Sequence, residues 1–392
     1  MSFAAFWTAQ RAAGVSMIDL MVYRAEGRAV LTGQDLYAMR ATVARLPTTY
    51  PPFAALLFTP LTLPGVPGLR TLATAGNLLL LVVFVRFSLR LTLRGTGRCP
   101  AGTALWAAAL WVASVVVWCE PVWTTLRYGQ INLLLATGVL WDLSRRDGHR
   151  WAGVGIGLAA AVKLTPALFA VLPLLVGLLQ ARRSGVRWNP WLRQTSTAAA
   201  VFGAATLTAV VILPRDSLRF WTGALFDASR VGRAESTANQ SLRGVLARLL
   251  GTGDPALWWA ASAAVVAVAG LTVAVGAELR GEHAGAVAAC AATALLISPV
   301  SWSHHWVWCV PMVLFVGGRA RARWAVAAGL VFCSYALWWV PHGPGGPELA
   351  QSGGEMVLSA LYPLTALALL GLVAFRVYAP VSRRNGQAVA NE

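Results

Sequence analysis

The stretch GLAAAVKLTPALFAVL, residues 157–172, decides how the chain is read. Two apolar runs meet at one lysine, Lys163, and Pro166 follows three residues later. A lysine at the centre of a membrane helix costs ~2.5–3.5 kcal/mol, so it marks a functional position by default. The bland alternatives are a buried ion pair or snorkelling to the interface. Proline removes a backbone donor and clashes with the preceding turn, so the helix is expected to break there. The short apolar runs at 131–143 and 151–163 fit broken or tilted helices that line a cavity inside a membrane bundle.

The rest of the chain agrees with a bilayer as its solvent. Of 392 residues, 57% are hydrophobic and 12% charged, with a mean hydropathy of +0.62. Ordinary soluble domains carry ~25% charged residues. A soluble domain of this size cannot hide so much apolar surface, which excludes soluble enzymes, secreted disulfide scaffolds and disordered proteins. The net charge of +17 and pI near 11.1 would point to nucleic acid in a soluble protein. Here the arginines fall between apolar runs, so lipid headgroups and topology account for them better. Of the 32 basic residues only Lys163 is a lysine, a bias expected from a GC-rich genome. Cys99, Cys119, Cys290, Cys309 and Cys333 are scattered, with no CxxC and no histidine at ligand spacing. They read as small apolar residues.

Apolar runs fall at about 71–93, 101–119, 131–143, 151–163, 166–180, 195–213, 255–277, 284–298, 306–318, 324–340 and 356–376. The expected fold is an all-α polytopic membrane protein with about eleven spans, because the sequence lacks the alternating segments of a barrel. The opening MSFAAFWTAQRAAGV (1–15) lacks the form of a signal peptide and is too short to span. It is expected to be the end of a first helix that begins upstream, which would bring the count to twelve. Arg94 with Arg98, Arg145–Arg146–Arg150, Arg182–Arg183–Arg187–Arg193, Arg319–Arg321–Arg323 and the tail at 377–392 with Arg383 and Arg384 fall on one side. The positive-inside rule makes that side cytoplasmic. One integral-membrane catalytic domain over 1–392 is expected, with no linker to a soluble unit and no internal repeat.

Three segments then lie outside. Residues 19–70 are expected to hold an amphipathic helix in DLYAMRATVAR (35–45), where Leu36, Met39 and Val43 are helically spaced, and a Pro-rich re-entrant stretch. Residues 214–254 form a polar loop, and PHGPGGPELAQSGGE (341–355) a third. The first two are rich in arginine against the usual bias, and an anionic headgroup is one reason for that.

Candidate residues sit at these boundaries. Asp19 lies where apolar chain meets the outer segment, and partial desolvation there would suit a general base; otherwise it caps a helix starting at Leu20. Asp35 reads as a cap of LYAMRA. Glu120, in WCEP, is a second acid. Tyr50-Pro51-Pro52 fixes extended backbone that could wall a site. Arg127, Tyr128, Gly129, Gln130 and Asn132 offer amides suited to sugar hydroxyls, or to joining helices. Ser236, Asn239, Gln240, Ser241 and Arg243 suit sugar and phosphate, or cap helices. His304 and His305, among Trp302, Trp306 and Trp308, can donate to phosphate or move protons. A metal is not expected there, since adjacent histidines diverge and no third ligand is evident.

Seven motifs in order carry a resemblance: DLMVY (19–23), GQDLY (33–37), YPPF (50–53), GQINLLL (129–135), AAAVKLTP (159–166), NQSLRG (239–244) and SPVSWSHHW (298–306). From about residue 17 to 380 the chain resembles glycosyltransferase family 87, the GT-C-type polyprenyl-phosphomannose-dependent α-mannosyltransferases of actinobacteria. The resemblance implies a GT-C-like bundle with its site on the extracytoplasmic face of the plasma membrane and its C-terminus in the cytoplasm. It implies inverting transfer of mannose from polyprenyl-phosphate-mannose to a hydroxyl of a lipid-linked or cell-envelope glycan, giving an α-linked, most often α-1,2, mannoside. No metal or other cofactor and no nucleic-acid partner is expected; the partners are the lipid donor, the acceptor and membrane lipids. Asp19 would take the acceptor proton. Lys163, Arg243, His304 and His305 would stabilise the leaving phosphate. Gln130, Asn132, Asn239 and Gln240 would hold sugar hydroxyls, with Tyr23 and Tyr50 at the acceptor. The other readings are a GT-C transferase of arabinose or glucose and a lipid or solute transporter.

Overall fold

The computed structural model describes residues 1–94, 102–145, 148–320 and 322–379. Arg98, Cys99, Arg146, Arg321, Arg383 and Arg384 lie outside the described residues. The chain is mostly helical, 74%. α1 (Ser2–Ala12), α2 (Ile18–Thr32) and α3 (Pro52–Phe58) precede the long α4 (Val66–Leu93). Then come α5 (Thr103–Val116), α6 (Glu120–Tyr128), α7 (Asn132–Leu143), α8 (Val154–Val162), α9 (Leu168–Ser184) and α10 (Pro190–Ile212). α11 (Pro214–Arg219) and α12 (Leu242–Leu249) lie within residues 214–254, and α13 (Ala256–Leu279), α14 (His283–Ile297), α15 (Cys309–Arg319), α16 (Ala322–Cys333), α17 (Gly353–Ser359) and α18 (Leu361–Tyr378) complete the order.

Each of the eleven apolar runs is occupied by helix. Five helical segments are long and apolar enough to cross a bilayer alone: α4, Thr165–Ser184, α10, α13 and α18. α5 and α6 make a sixth if the pair, bent by 86°, is taken as one. The molecule is thus a multi-pass membrane protein, with the shorter apolar helices packed among these six. α14 shows how they pack. Its alanines are buried on nearly every side, and Gly270 of α13 sits against Thr293, so the two backbones approach closely. Caps set the boundaries: the Asn189 side chain accepts from the backbone of Trp191 and Leu192 ahead of Pro190, and Ser352 and Glu355 form a capping box on α17.

Residues 19–70 depart from expectation. DLYAMRATVAR is not a helix. Residues 40–41 and 46–47 pair as a two-stranded antiparallel hairpin, Arg40 opposite Pro47, with Thr42 and Arg45 in the left-handed region. Leu36 and Tyr37 are buried beside Phe220, while Val43 is fully exposed at the hairpin tip. Packing against Phe220 overrode the helical spacing. Asp35 accordingly caps a turn, accepting from the backbone of Tyr37 and Ala38 at 2.9 Å each, and pairs with Arg219. The double proline starts α3, with Pro52 in its first turn. Cys119, Cys290 and Cys309 are buried, but Cys333 is exposed and its thiol lies 2.8 Å from that of Cys119.

Candidate active site

Four interruptions of helix converge at one place. At the first, Cys119 stands before Glu120-Pro121, and the chain turns through 86° into α6. At the second, Gly129 ends α6 in the left-handed conformation and hands the chain to α7. At the third, α8 stops at Lys163, whose backbone is extended, and Pro166 opens a short 3-10 turn before α9. The fourth is the 3-10 segment Ser303–Trp308 leading into α15.

Gly129 sets the geometry of the first cluster. A Cβ there would lie 2.7 Å from the Leu20 Cβ and 3.3 Å from the Met17 Cβ. Its positive φ and close approach both require glycine. That contact brings the next residue, Gln130, to the first turn of α2. Gln130 Nε2 donates to Asp19 Oδ2 at 2.7 Å, and Gln130 Oε1 accepts from Tyr23 Oη at 2.8 Å. The Tyr23 and Tyr50 hydroxyls are 2.8 Å apart. Asp19 does not cap α2, since Met17 holds that place; it lies in the first turn, where the helix dipole favours an anion. Burial pushes its carboxyl up to about 6, while the Gln130 hydrogen bond and the Lys163 charge pull the other way.

Lys163 makes the second cluster. Its Nζ donates to His305 Nε2 at 3.0 Å and to Asn132 Oδ1 at 3.4 Å, and it stands 5.6 Å from the Tyr50 ring centroid. His305 Nε2 must accept from the ammonium, so its proton is on Nδ1. The Asn132 amide donates to the His304 carbonyl at 2.9 Å, as does the Thr125 hydroxyl at 2.8 Å. These bonds pin the histidine turn to α6 and α7. Burial, then Lys163, hold both imidazoles well below their ordinary range, His304 at about 3. Both are therefore neutral donors and acceptors rather than cations. His304 Nε2 is buried without a partner. A carboxylate and an ammonium thus face each other across Gln130, Tyr50 and Asn132.

Other singled-out residues stand apart from this pair. Asn239 is fully buried, and its side chain holds the loop together: Oδ1 accepts from the Ser301 backbone at 3.0 Å and Nδ2 donates to the Ala234 carbonyl at 3.0 Å. Gln240 Nε2 donates to the Thr237 and Ser359 carbonyls at 2.7 Å each. The Asn239 amide and the Gln240 amide nitrogen are thus tied to backbone, while Gln240 Oε1 is buried without a partner. Ser241 caps α12. Arg243 faces Asp254 at 3.5 Å and the Trp259 ring rather than Lys163. Glu120 is fully buried and accepts from Thr124, Ser303, Trp338 and Tyr362 at 2.8 to 3.1 Å. A carboxylate with four donors braces the histidine turn and is not poised to take a proton. Arg127 and Tyr128 end α6, and Tyr128 stacks edge-on against His304.

The sequence reading missed Glu26. It lies seven residues after Asp19 on α2, hence on nearly the same face. It is fully buried, and burial pushes its carboxyl up to about 8 while the neighbouring Thr48 hydroxyl pulls the other way. Its neighbour Gly27 packs directly on the Phe58 carbonyl, which seats α3 on α2. Among the described residues, no group of three or more His, Cys, Asp or Glu side chains is gathered as a metal site requires.

Comparisons with known proteins give the family. The profile of Glycosyltransferase family 87 matches residues 49–299. A polyprenol-phosphate-mannose-dependent alpha-(1-2)-phosphatidylinositol mannoside mannosyltransferase of Mycobacterium tuberculosis is 34% identical over 356 residues, covering 82% of this chain and 79% of the relative. Its namesake in Mycolicibacterium smegmatis is 35% identical, covering 82% and 75%. A polyprenol-phosphate-mannose-dependent alpha-(1-2)-phosphatidylinositol pentamannoside mannosyltransferase of Mycobacterium tuberculosis is 36% identical, covering 81% and 70%. No solved structure matches the chain significantly. Matched over most of its length, and carrying a partly buried carboxylate and lysine at the converging helix breaks, the chain belongs to glycosyltransferase family 87 and is a glycosyltransferase.

Proposed function

We propose that the protein transfers mannose from polyprenyl-phosphate-mannose to a hydroxyl of a phosphatidylinositol-mannoside-type acceptor, with inversion to an α-1,2 linkage. The names of its relatives support the donor and the acceptor class. The observation that carries the chemistry is the Asp19 carboxylate, held by Gln130 at 2.7 Å and facing the Lys163 ammonium.

In this reading the acceptor oxygen attacks the anomeric carbon as Asp19 takes its proton. The bond from that carbon to the phosphate oxygen breaks, and the polyprenyl phosphate leaves with the electron pair. Lys163, with the Nδ1–H of His305, stabilises the growing charge. A lipid phosphate is already a good leaving group, so the reaction is written without a metal or other cofactor and without a strong general acid. Gln130, Tyr23, Tyr50 and Asn132 orient the sugars. The site opens on the extracytoplasmic face of a GT-C-like bundle of about eleven crossings, and the C-terminus lies in the cytoplasm. The arginine-rich stretches of sequence at 145–150, 182–193 and 319–323 support that orientation. Incubation with mannosyl, glucosyl or arabinosyl polyprenyl phosphate tests the donor. Product from the mannosyl donor alone, sensitive to an α-mannosidase, is expected; product from another sugar donor in its place would overturn the reading.

A further inference from the structure

We propose that the cleft between the end of α1 and the first turns of α4 binds the phosphodiester of an anionic acceptor lipid through Arg11 and Arg70. The proposal rests on the transferase reading above and adds the acceptor's anchoring site. The cleft has a volume of about 290 Å³, and Trp7, Gln10, Arg11, Met17, Arg70 and Thr71 line it.

Three observations converge there. Two guanidiniums share one cleft, and among the described residues neither has an ion pair. Paired planar forks suit a phosphate, which accepts several charge-assisted hydrogen bonds at once. Gln10 is only 5% exposed, yet neither its amide oxygen nor its amide nitrogen has a partner. A buried amide orphaned at both ends is rare and calls for a ligand or water that completes it; a headgroup carrying both phosphate oxygens and hydroxyls would do so. Finally, Met17 both lines the cleft and caps α2 in the left-handed conformation, two residues before Asp19. A phosphodiester held by Arg11 and Arg70 therefore leaves its sugar headgroup beside the base. Trp7 offers an apolar wall to the lipid's glycerol end. The donor also carries a phosphodiester, but the Lys163 and His305 assigned to it line a different cavity.

The test uses the full chain in nanodiscs, with the variants Arg11→Gln, Arg70→Gln and the pair together. Two acceptors are compared at saturating polyprenyl-phosphate-mannose: phosphatidylinositol dimannoside and the neutral octyl α-mannoside. The ratio of kcat/KM for the charged acceptor to that for the neutral one should fall at least tenfold in the double variant, through KM. An unchanged ratio overturns the proposal. A rise in donor KM in place of acceptor KM overturns it too, and assigns the cleft to the donor phosphate. Native mass spectrometry gives a readout that needs no turnover. Wild type should retain phosphatidylinositol in preference to phosphatidylcholine, and the double variant should lose that preference; equal preference overturns the proposal. If wild type transfers mannose to neither acceptor, the transferase reading fails while lipid retention still decides the cleft.

Discussion

At the scale of single residues, the proposed chemistry depends on one carboxyl whose proton affinity is tuned by its surroundings. Burial raises the Asp19 carboxyl to about 6, so it is ionised at neutral pH yet a stronger base than an exposed aspartate. Activity should accordingly be full above that value and fall as pH drops through it, with an acid limb near pH 6 in kcat/KM. The Gln130 hydrogen bond lowers the carboxyl's affinity for its proton. Gln130→Leu should therefore move the acid limb to higher pH as well as slow the reaction; a limb that stays put would detach Gln130 from the base. Lys163→Ala should raise the donor KM and lower kcat together, and should shift the same limb upward, since Lys163 also favours the ionised carboxylate. The residues that form this pair were legible in sequence because each is costly where it stands: an acid, a lysine and amides beside short apolar spans. Glu26 was not, since one glutamate in RAEGR reads as a solvated helix face. Only the packing of α3 and the tyrosines around it reveals its burial.

At the scale of elements, the site exists because helices stop. Gly129 and Glu120 do most to fix where. Gly129→Ala places a methyl against Leu20 and forces a left-handed alanine, a strain of about 1–3 kcal/mol. The expected result is a lower melting temperature and a larger loss of activity than a mutation equally destabilising elsewhere, because Gln130 loses its register on Asp19. Glu120→Ala leaves four donors on four segments without their acceptor, a cost of about 2–4 kcal/mol. Thermal unfolding in detergent checks both. A Glu120→Ala protein as stable as wild type would remove the bracing role. The breaks were readable in sequence because proline and glycine announce them, at Pro121, Gly129 and Pro166. The hairpin at 40–47 was not readable. Leu36, Met39 and Val43 keep helical spacing, and only Phe220, 184 residues after Leu36, supplies the surface that pulls Leu36 and Tyr37 inward. The loop contacts of Asn239 and Gln240 were unreadable for a related reason: the partners that tie these amides to the fold, at 299–301 and 359, are distant in sequence.

At the scale of the whole molecule, composition alone fixed the solvent, and the count of crossings is where sequence and structure say different things. Eleven apolar runs are helical, but five helices, or six with the bent pair, are long enough to cross unaided. The remaining apolar helices are shorter, and irregular backbone at membrane depth is tolerated where protein or water surrounds it. The proposed orientation is testable with single cysteines in a cysteine-free background. A cysteine replacing Val43, exposed at the hairpin tip, should react with an impermeant maleimide on intact cells. One replacing Trp188, exposed between α9 and α10, should react only after permeabilisation. The reverse pattern would invert the molecule and put the site on the cytoplasmic face.

The most direct test of the central claim is a transfer assay on the purified protein in nanodiscs. It is supplied with polyprenyl-phosphate-mannose and a membrane lipid extract, and wild type is compared with Asp19→Asn by mass spectrometry. Wild type should yield a lipid that gains one hexose. The rate should be lower by about 10²–10⁴-fold with the variant, which should still fold and bind donor. Equal product from Asp19→Asn would contradict the assignment of the base, and no hexose-bearing product from folded wild type would contradict the transfer itself.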